Sequence, residues 1–139
     1  MSLVLDNSVT MRWCFGDGKT TELAYAAKVL DALAKTPAVV PVIWGLEVAN
    51  VLARAEDRGL ISEARSASFL ALLHRLRIEA DTATFAQSLV GTLQLARRYR
   101  LSSYDAAYLE LALRSSLPLA TLNDKLRQAA KRAGVQLLR

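Results

Sequence analysis

The chain contains one cysteine and one histidine in 139 residues. Lone Cys14 has no partner for an internal disulfide, which fits a reducing cytosol, and its ordinary role is that of a small buried hydrophobe. His74 lies in a helical run, Leu72-Leu73-His74-Arg75, as a structural or exposed residue. These two singletons leave His-based acid/base, Cys-nucleophile and zinc chemistry almost without material. No run of about 18 apolar residues is free of charge, so a membrane span is not expected. Met1-Ser2-Leu3-Val4-Leu5-Asp6 has neither a basic n-region nor a cleavage site, so no secretory signal is expected and the reading is cytoplasmic. There are only three prolines and six glycines. They punctuate the chain, with no repeat, low-complexity tract or interdomain linker between them.

What is abundant is apolar and basic. Hydrophobic residues make up 53% of the chain, many of them Ala and Leu, so it folds and favours helix. The length suits one domain, residues 1–139, with a proper core. The net charge is +5. Most such charges simply solvate helix faces, but a basic shell around acidic positions also suits a nuclease, gathering phosphates around carboxylates.

Ser2 to Ser8 reads as a short buried strand, Leu3-Val4-Leu5, ending in the turn or cap residues Asp6-Asn7-Ser8. Gly16-Asp17-Gly18 is a loop. Thr20 or Thr21 caps a helix with Leu23, Ala26, Ala27, Leu30 and Leu33 on its apolar face, stopped by Pro37. Ala38-Val39-Val40 is a second strand. A helix from about Trp44 to Arg58, with Leu46, Ala49, Leu52 and Ala53 at helical spacing, stops at Gly59. Ser62 caps the next helix, with Phe69, Leu72, Leu73 and Leu76 on its core side. Arg77 to Ala80 is a short strand and Ala83 to Arg98 a helix. Ser102 or Ser103 caps Tyr104 to Arg114. Leu117 to Thr121 is a strand, Asn123 caps Asp124 to Ala133, and Val135 to Leu138 is a last strand. Short apolar strands alternating with helices imply an α/β sandwich with a mostly parallel sheet. Such sheets bind ligands at the carboxyl ends of their strands.

Four acids then stand out: Asp6, Glu47, Asp105 and Asp124. Asp6 directly follows a strand, and Asp124 follows another within a few residues. Glu47 lies near the start of its helix, and Asp105 in the first turn of its own. Each has an ordinary reading: a turn residue, a solvated helix residue, a capping-box partner of Ser102, an N1 residue behind an Asn cap. Gathered at one sheet edge, they would repel one another, and a hard cation such as Mg²⁺ or Mn²⁺ relieves that repulsion. An oxygen-ligand metal site is the active-site type this sequence can most readily build.

Four blocks carry a resemblance: Leu3-Val4-Leu5-Asp6-Asn7-Ser8-Val9, Leu46-Glu47-Val48-Ala49-Asn50-Val51-Leu52, Leu101-Ser102-Ser103-Tyr104-Asp105-Ala106-Ala107-Tyr108 and Leu119-Ala120-Thr121-Leu122-Asn123-Asp124-Lys125-Leu126. In this order they resemble the signature blocks of the PIN-domain family, and within it the VapC-type toxins of toxin–antitoxin pairs. The resemblance implies a PIN-like three-layer α/β sandwich with a central, mostly parallel sheet and a Mg²⁺- or Mn²⁺-dependent ribonuclease site. It puts the family's acids at Asp6, Glu47 and Asp105, with Asp6 and Asp105 as metal ligands and the hydroxyls of Ser8 and Thr121 lining the site. The fourth block departs from the family's Thr-x-Asp-x-x-Leu. Asn123 stands at the acid position and Asp124 follows it. Either Asp124 takes over the fourth role after a small shift, or three acids suffice with Asn123 as a neutral ligand.

Hydrolysis of a phosphodiester by such a site needs no histidine, because a carboxylate-held metal activates water and stabilises phosphate charge. Arg97, Arg98, Lys125 and Arg127, with Arg100, Lys131 and Arg132 nearby, flank the acid blocks and are candidate RNA contacts. Trp13 and Trp44 are candidates for base stacking or an interface, with core packing the plainer alternative. The implied partners are an RNA substrate, a cognate antitoxin and a second copy of the chain. The apolar residues between Thr20 and Leu76, among them Trp44, Phe69, Leu70 and Leu73, exceed the needs of one small core. They point to a homodimer and to a groove for an antitoxin tail whose basic residue reaches the carboxylates. The competing reading is a non-catalytic PIN-like module that binds RNA or protein, its site decayed at Asn123. A phospho-accepting receiver is disfavoured because Ala38-Val39-Val40-Pro41 ends in no acid.

Overall fold

A computed structural model describes all of residues 1–139. In chain order the elements are β1 (Leu3–Leu5), α1 (Asn7–Phe15), α2 (Thr20–Ala32), β2 (Ala38–Val40), α3 (Ile43–Asp57), α4 (Glu63–Arg75) and β3 (Ile78–Ala80). Then follow α5 (Thr84–Gln87), a π-helical turn (Ser88–Thr92), α6 (Leu93–Tyr99), α7 (Ser103–Ser115), β4 (Leu119–Ala120) and α8 (Asp124–Ala133). The sheet order is β3-β2-β1-β4 and every pairing is parallel. Since each return to the sheet passes through helix, helices cover both faces.

β1 is the centre of this arrangement. Its side chains alternate between the two faces. Val4 packs into a cluster with Leu109, Leu111, Leu119 and Leu126, from α7, β4 and α8. Leu3 and Leu5 pack oppositely, with Val29 of α2, Leu33 and Val40. A third cluster joins Met11 and Cys14 of α1 to Val48 and Leu52 of α3 and Phe69 and Leu73 of α4. All three residues of β1 are at most 1% exposed, so the strand reads as a continuous apolar run with no polar face.

Several boundaries agree with the sequence reading. Ser62, Ser102 and Asn123 each accept a hydrogen bond from the backbone N–H three residues on, so all three are genuine N-caps. Gly59 takes φ +72° beyond α3, and Gly134 takes φ +82° beyond α8. Other expectations need correction. α1 begins at Asn7 and Ser8, read as turn or cap residues, and runs on through a stretch for which no element was expected. Asn, Ser, Val, Thr, Trp and Phe are weak helix formers, so propensity hides it, and burial of Val9, Met11 and Cys14 supplies the stabilisation instead. α2 is capped at Lys19, whose N–H donates to Glu22 Oε1 at 3.0 Å, rather than at Thr20 or Thr21. The inward face of α3 is Val48, Leu52 and Ala55, whereas Leu46 is 72% exposed. Leu72 of α4 also lies outward. The helix expected from Ala83 to Arg98 is interrupted by the π-helical turn. The last strand is reduced to one parallel bridge, Leu119 with Leu137. No helix is long and apolar enough to cross a membrane.

Candidate active site

Asp6 is the first residue beyond β1, and its N–H still donates to Ala120 of β4 at 3.0 Å. It is the N-cap of α1, yet its carboxylate makes no capping bond. Asp6 Oδ2 instead accepts from Ser8 Oγ at 2.6 Å and from Thr121 Oγ1 at 2.7 Å. Ser8 Oγ in turn accepts from Leu122 N–H, and Thr121 Oγ1 from Asn123 N–H, both at 3.0 Å. Each hydroxyl has one hydrogen, and both are committed to Asp6. The 3.4 Å approach between the two hydroxyl oxygens is therefore a packing contact. This pair of hydroxyls joins the β1–α1 junction to the β4–α8 junction and fixes a carboxylate that is 4% exposed.

Glu47 lies on the second turn of α3. Its Oε1 accepts from the Tyr108 hydroxyl of α7 at 2.5 Å. Tyr108 has no exposed surface. It stands three residues after Asp105, so both residues lie on one face of α7. Asp105 is in the first turn of α7, and its Oδ2 accepts from Asn123 Nδ2 at 3.4 Å. Asn123 thus caps α8 through Oδ1 and meets Asp105 through Nδ2. Asp124, one residue on, is exposed, with no hydrogen bond or ion pair to the other acids.

Burial raises the pKa of Asp6, against the lowering effect of Ser8, Thr121 and the Asn7 N–H; the negative charge of Asp105 adds to the rise. Burial also raises Glu47, opposed by its bond from Tyr108 and reinforced by the charges of Asp6 and Asp105. Asp105 is raised by burial, against Ser102, Lys125 and Asn123. All three carboxyls therefore shift in one direction, with desolvation the largest cause in each and like-charge repulsion a smaller one for Asp6 and Glu47. Tyr108 is pushed far above an ordinary phenol by burial and by the charges of Asp6 and Glu47, so it stays a donor.

The donor set is all oxygen and suits Mg²⁺ or Mn²⁺. The acids do not form a closed cage, since no group of three or more acid, His or Cys side chains is close enough to hold an ion. Mg²⁺ does not require one: it keeps several waters and binds through one or two carboxylates. The residues present fit that mode.

Basic residues border the acids. Lys125 Nζ donates to Arg100 O at 3.3 Å, and its charge reaches Asp105. Arg127 Nη1 donates to Thr121 O at 2.7 Å and stacks on Tyr25. Arg98 and Arg132 both lie over the Tyr99 ring, at 5.7 and 5.8 Å. Arg97 and Arg98 are exposed on the last turn of α6. The two tryptophans are internal ties. Trp13 Nε1 donates to Ala26 O at 2.8 Å, and Trp44 Nε1 to Thr10 Oγ1 at 3.2 Å. Sequence reasoning missed Tyr108 and Thr10. Tyr108 was findable, because helical spacing alone puts it beneath Asp105. Nothing in the sequence links Thr10 to Trp44.

The family profile described as PIN domain matches residues 3–132. The fold is similar to the crystal structure of PAE2754 from Pyrobaculum aerophilum, with TM-score 0.67 and 20% identity over 93% of this chain and 86% of that one. A toxin–antitoxin complex from Klebsiella pneumoniae gives TM-score 0.58 at 20% identity, over 88% of this chain and 87% of the other. FitAcB from Neisseria gonorrhoeae gives 0.54 at 18%, over 99% and 96%. No curated protein matches the sequence. With the profile spanning nearly the whole parallel sheet and its helices, the chain belongs to the PIN domain family.

Proposed function

We propose that the protein is a metal-dependent endoribonuclease toxin that hydrolyses RNA phosphodiester bonds and is neutralised by a cognate antitoxin. The observation that supports this reading is the hydrogen-bond network that ties three separated acids to neighbouring elements: Thr121 donates to Asp6 and accepts from Asn123, Asn123 donates to Asp105, and Tyr108, one turn beyond Asp105, donates to Glu47. Mg²⁺ or Mn²⁺ bound through Asp6 and Asp105 would lower the pKa of a bound water and act as a Lewis acid toward the phosphate.

The chain's own residues do the rest. Ser8 and Thr121 fix Asp6 in one orientation. Tyr108 fixes Glu47 and leaves its second oxygen to meet a water proton. Asn123 orients Asp105 from the fourth block without adding charge. The catalytic set in this reading is Asp6, Glu47 and Asp105, and exposed Asp124 stands aside. Arg97, Arg98, Lys125 and Arg127 hold phosphates on either side of the acids.

Partners follow from the apolar surface. A groove of about 300 Å³ between α3 and α4 is lined by Trp44, Val48, Leu52, Leu70, Leu73 and Leu76. We assign it to the antitoxin tail, whose Arg or Lys would reach the carboxylates and replace the metal's charge. Leu60, 71% exposed, adds apolar surface for a homodimer.

A non-catalytic binding module is the second reading, favoured by neutral Asn123 at the fourth acid position. Cleavage of a labelled RNA with Mg²⁺ or Mn²⁺, and its loss in EDTA and in Asp6→Asn, separates the two. Asn123→Asp is expected to keep or raise cleavage, and Asp124→Ala to leave it within about twofold, a change of ~0.4 kcal/mol in barrier. A metal-independent product, or full activity in Asp6→Asn, refutes the nuclease.

A further inference from the structure

A cleft of about 420 Å³ opens directly beside Glu47, lined by Ile43, Leu46, Glu47, Asn50 and Tyr104. The spacing 43, 46, 47, 50 places four of these on one face of α3. Tyr104 faces them from the first turn of α7, one residue before Asp105. It is 59% exposed, and Leu46 is 72% exposed. No cation lines the cleft. A phosphate therefore has no counter-charge there, and Glu47 repels one. The lining instead offers an aromatic face, an aliphatic floor and one exposed amide, Asn50, able both to donate and to accept.

We propose that this cleft is a nucleobase subsite: it takes one unpaired base of a single-stranded RNA next to the bond to be cut, stacked on Tyr104 against Leu46 and Ile43, with Asn50 meeting the base edge. The inference rests on the ribonuclease reading for the identity of the polymer. Single-stranded nucleic acid is held in general by a cationic track for the backbone and aromatic faces for the bases. Here the track lies on the α6 and α8 side, where Arg97, Arg98 and Lys125 are exposed. The wall adjoining Glu47 carries no cation and presents Tyr104. Glu47 belongs to both the cleft and the acid cluster, so a base seated on Tyr104 brings its own phosphate toward Asp6 and Asp105. Asn50 then makes the subsite a determinant of base preference, and structured RNA with no extruded base is excluded.

The test is binding of labelled single-stranded oligoU, oligoA and oligoC in EDTA, where the strand stays intact, beside an oligomer abasic at one internal position. Tyr104→Ala is expected to weaken binding roughly tenfold, within the range for loss of one base stack. Tyr104→Phe should bind like the parent, and the abasic strand should bind the parent and Tyr104→Ala equally. Asn50→Ala should alter the ranking of the three strands. An unchanged melting temperature in each variant keeps the comparison valid, since both residues are exposed. Equal binding of intact strands by the parent and Tyr104→Ala overturns the subsite. Loss of antitoxin binding with RNA binding unchanged also overturns it, and reassigns the cleft to a protein partner. A parent that cleaves RNA while Tyr104→Ala binds normally sinks only the cleft. A parent that never cleaves, yet needs Tyr104 to bind, sinks only the nuclease.

Discussion

At the scale of single residues, the acids are held in place by neutral hydroxyl and amide donors. No arginine is paired with Asp6, Glu47 or Asp105; the salt bridges of the chain belong to Arg12 and Arg114. Hydroxyls and an amide orient a carboxylate without neutralising it, so its charge stays available to a cation. The cost appears in stability. Because Asp6, Glu47 and Asp105 titrate above their ordinary range when folded, the native chain retains protons that the unfolded chain has lost. Their contribution is full below the unfolded carboxylate value of about 4 and is lost as pH rises through the raised folded values. Asp6→Asn is thus expected to melt higher than the parent in metal-free buffer, with a gap that widens as pH rises above the unfolded carboxylate value. Scanning calorimetry of both proteins reads this, and a parent that gains on the variant as pH rises contradicts it. Tyr108→Phe removes only the hydroxyl that orients Glu47. Cleavage should fall about tenfold, ~1.4 kcal/mol, with the metal requirement kept; single-turnover rates decide it.

Among the elements, α7 carries the most. Its first turn presents Asp105, its middle presents Tyr108, and its last turn anchors the edge of the sheet. There Arg114 bonds Glu110 Oε2 through Nε at 2.7 Å and Asp81 Oδ2 through Nη2 at 2.7 Å. Asp81 follows β3 and also accepts from Thr84 Oγ1 at 2.7 Å. Burial raises Asp81, but the bonds from Arg114 and Thr84 outweigh it and leave its pKa lowered. Its stabilisation is therefore present at neutral pH and lost as pH falls through the folded value, opposite in sign to Asp6, Glu47 and Asp105. The Asp81 and Glu110 side chains are 10% and 8% exposed, so removing their common partner strands two buried charges. Arg114→Leu should destabilise by roughly 3 kcal/mol in urea unfolding. A loss below about 0.5 kcal/mol, the level of an exposed pair, would show that the network contributes little.

The whole molecule separates its charges. Arg97, Arg98, Arg100, Lys125, Arg127, Lys131 and Arg132 lie on α6, α8 and the loop between α6 and α7, and none is in an ion pair. In the proposed reading these unpaired cations draw in a polyanion, while the carboxylates, held by neutral donors, are left for metal. Binding of single-stranded RNA should weaken linearly with log salt, at about −0.7 per neutralised phosphate. Lys125→Ala and Arg97→Ala should each reduce that slope by roughly 0.7, uniformly across sequences. Mg²⁺ or Mn²⁺ should raise the melting temperature of the parent, by about 2.7 kcal/mol in stability at a hundred times Kd, and raise that of Asp6→Asn less. Equal metal stabilisation in both proteins places the ion elsewhere.

Local chemistry in the sequence was enough for the alternation of strands and helices, the caps at Ser62, Ser102 and Asn123, and the parallel sheet. Capping side chains, glycine stops and short apolar runs act within a few residues, so they are legible along the chain. The acids could be named from the order of the four blocks, but not brought together, because spacing carries no information on distance between segments. α1 was hidden for the same reason, since its weak helix formers are held by α3 and α4 across the fold. The inward face of α3 was judged only in part: Leu52 is buried as expected, but two apolar stripes compete on that helix and only packing selects Val48 and Ala55 over Leu46. Tertiary structure alone decided that Asn123, not Asp124, meets Asp105. Both residues sit at the start of α8, but a capping side chain turns back toward the preceding strand, while the residue after it turns out to water.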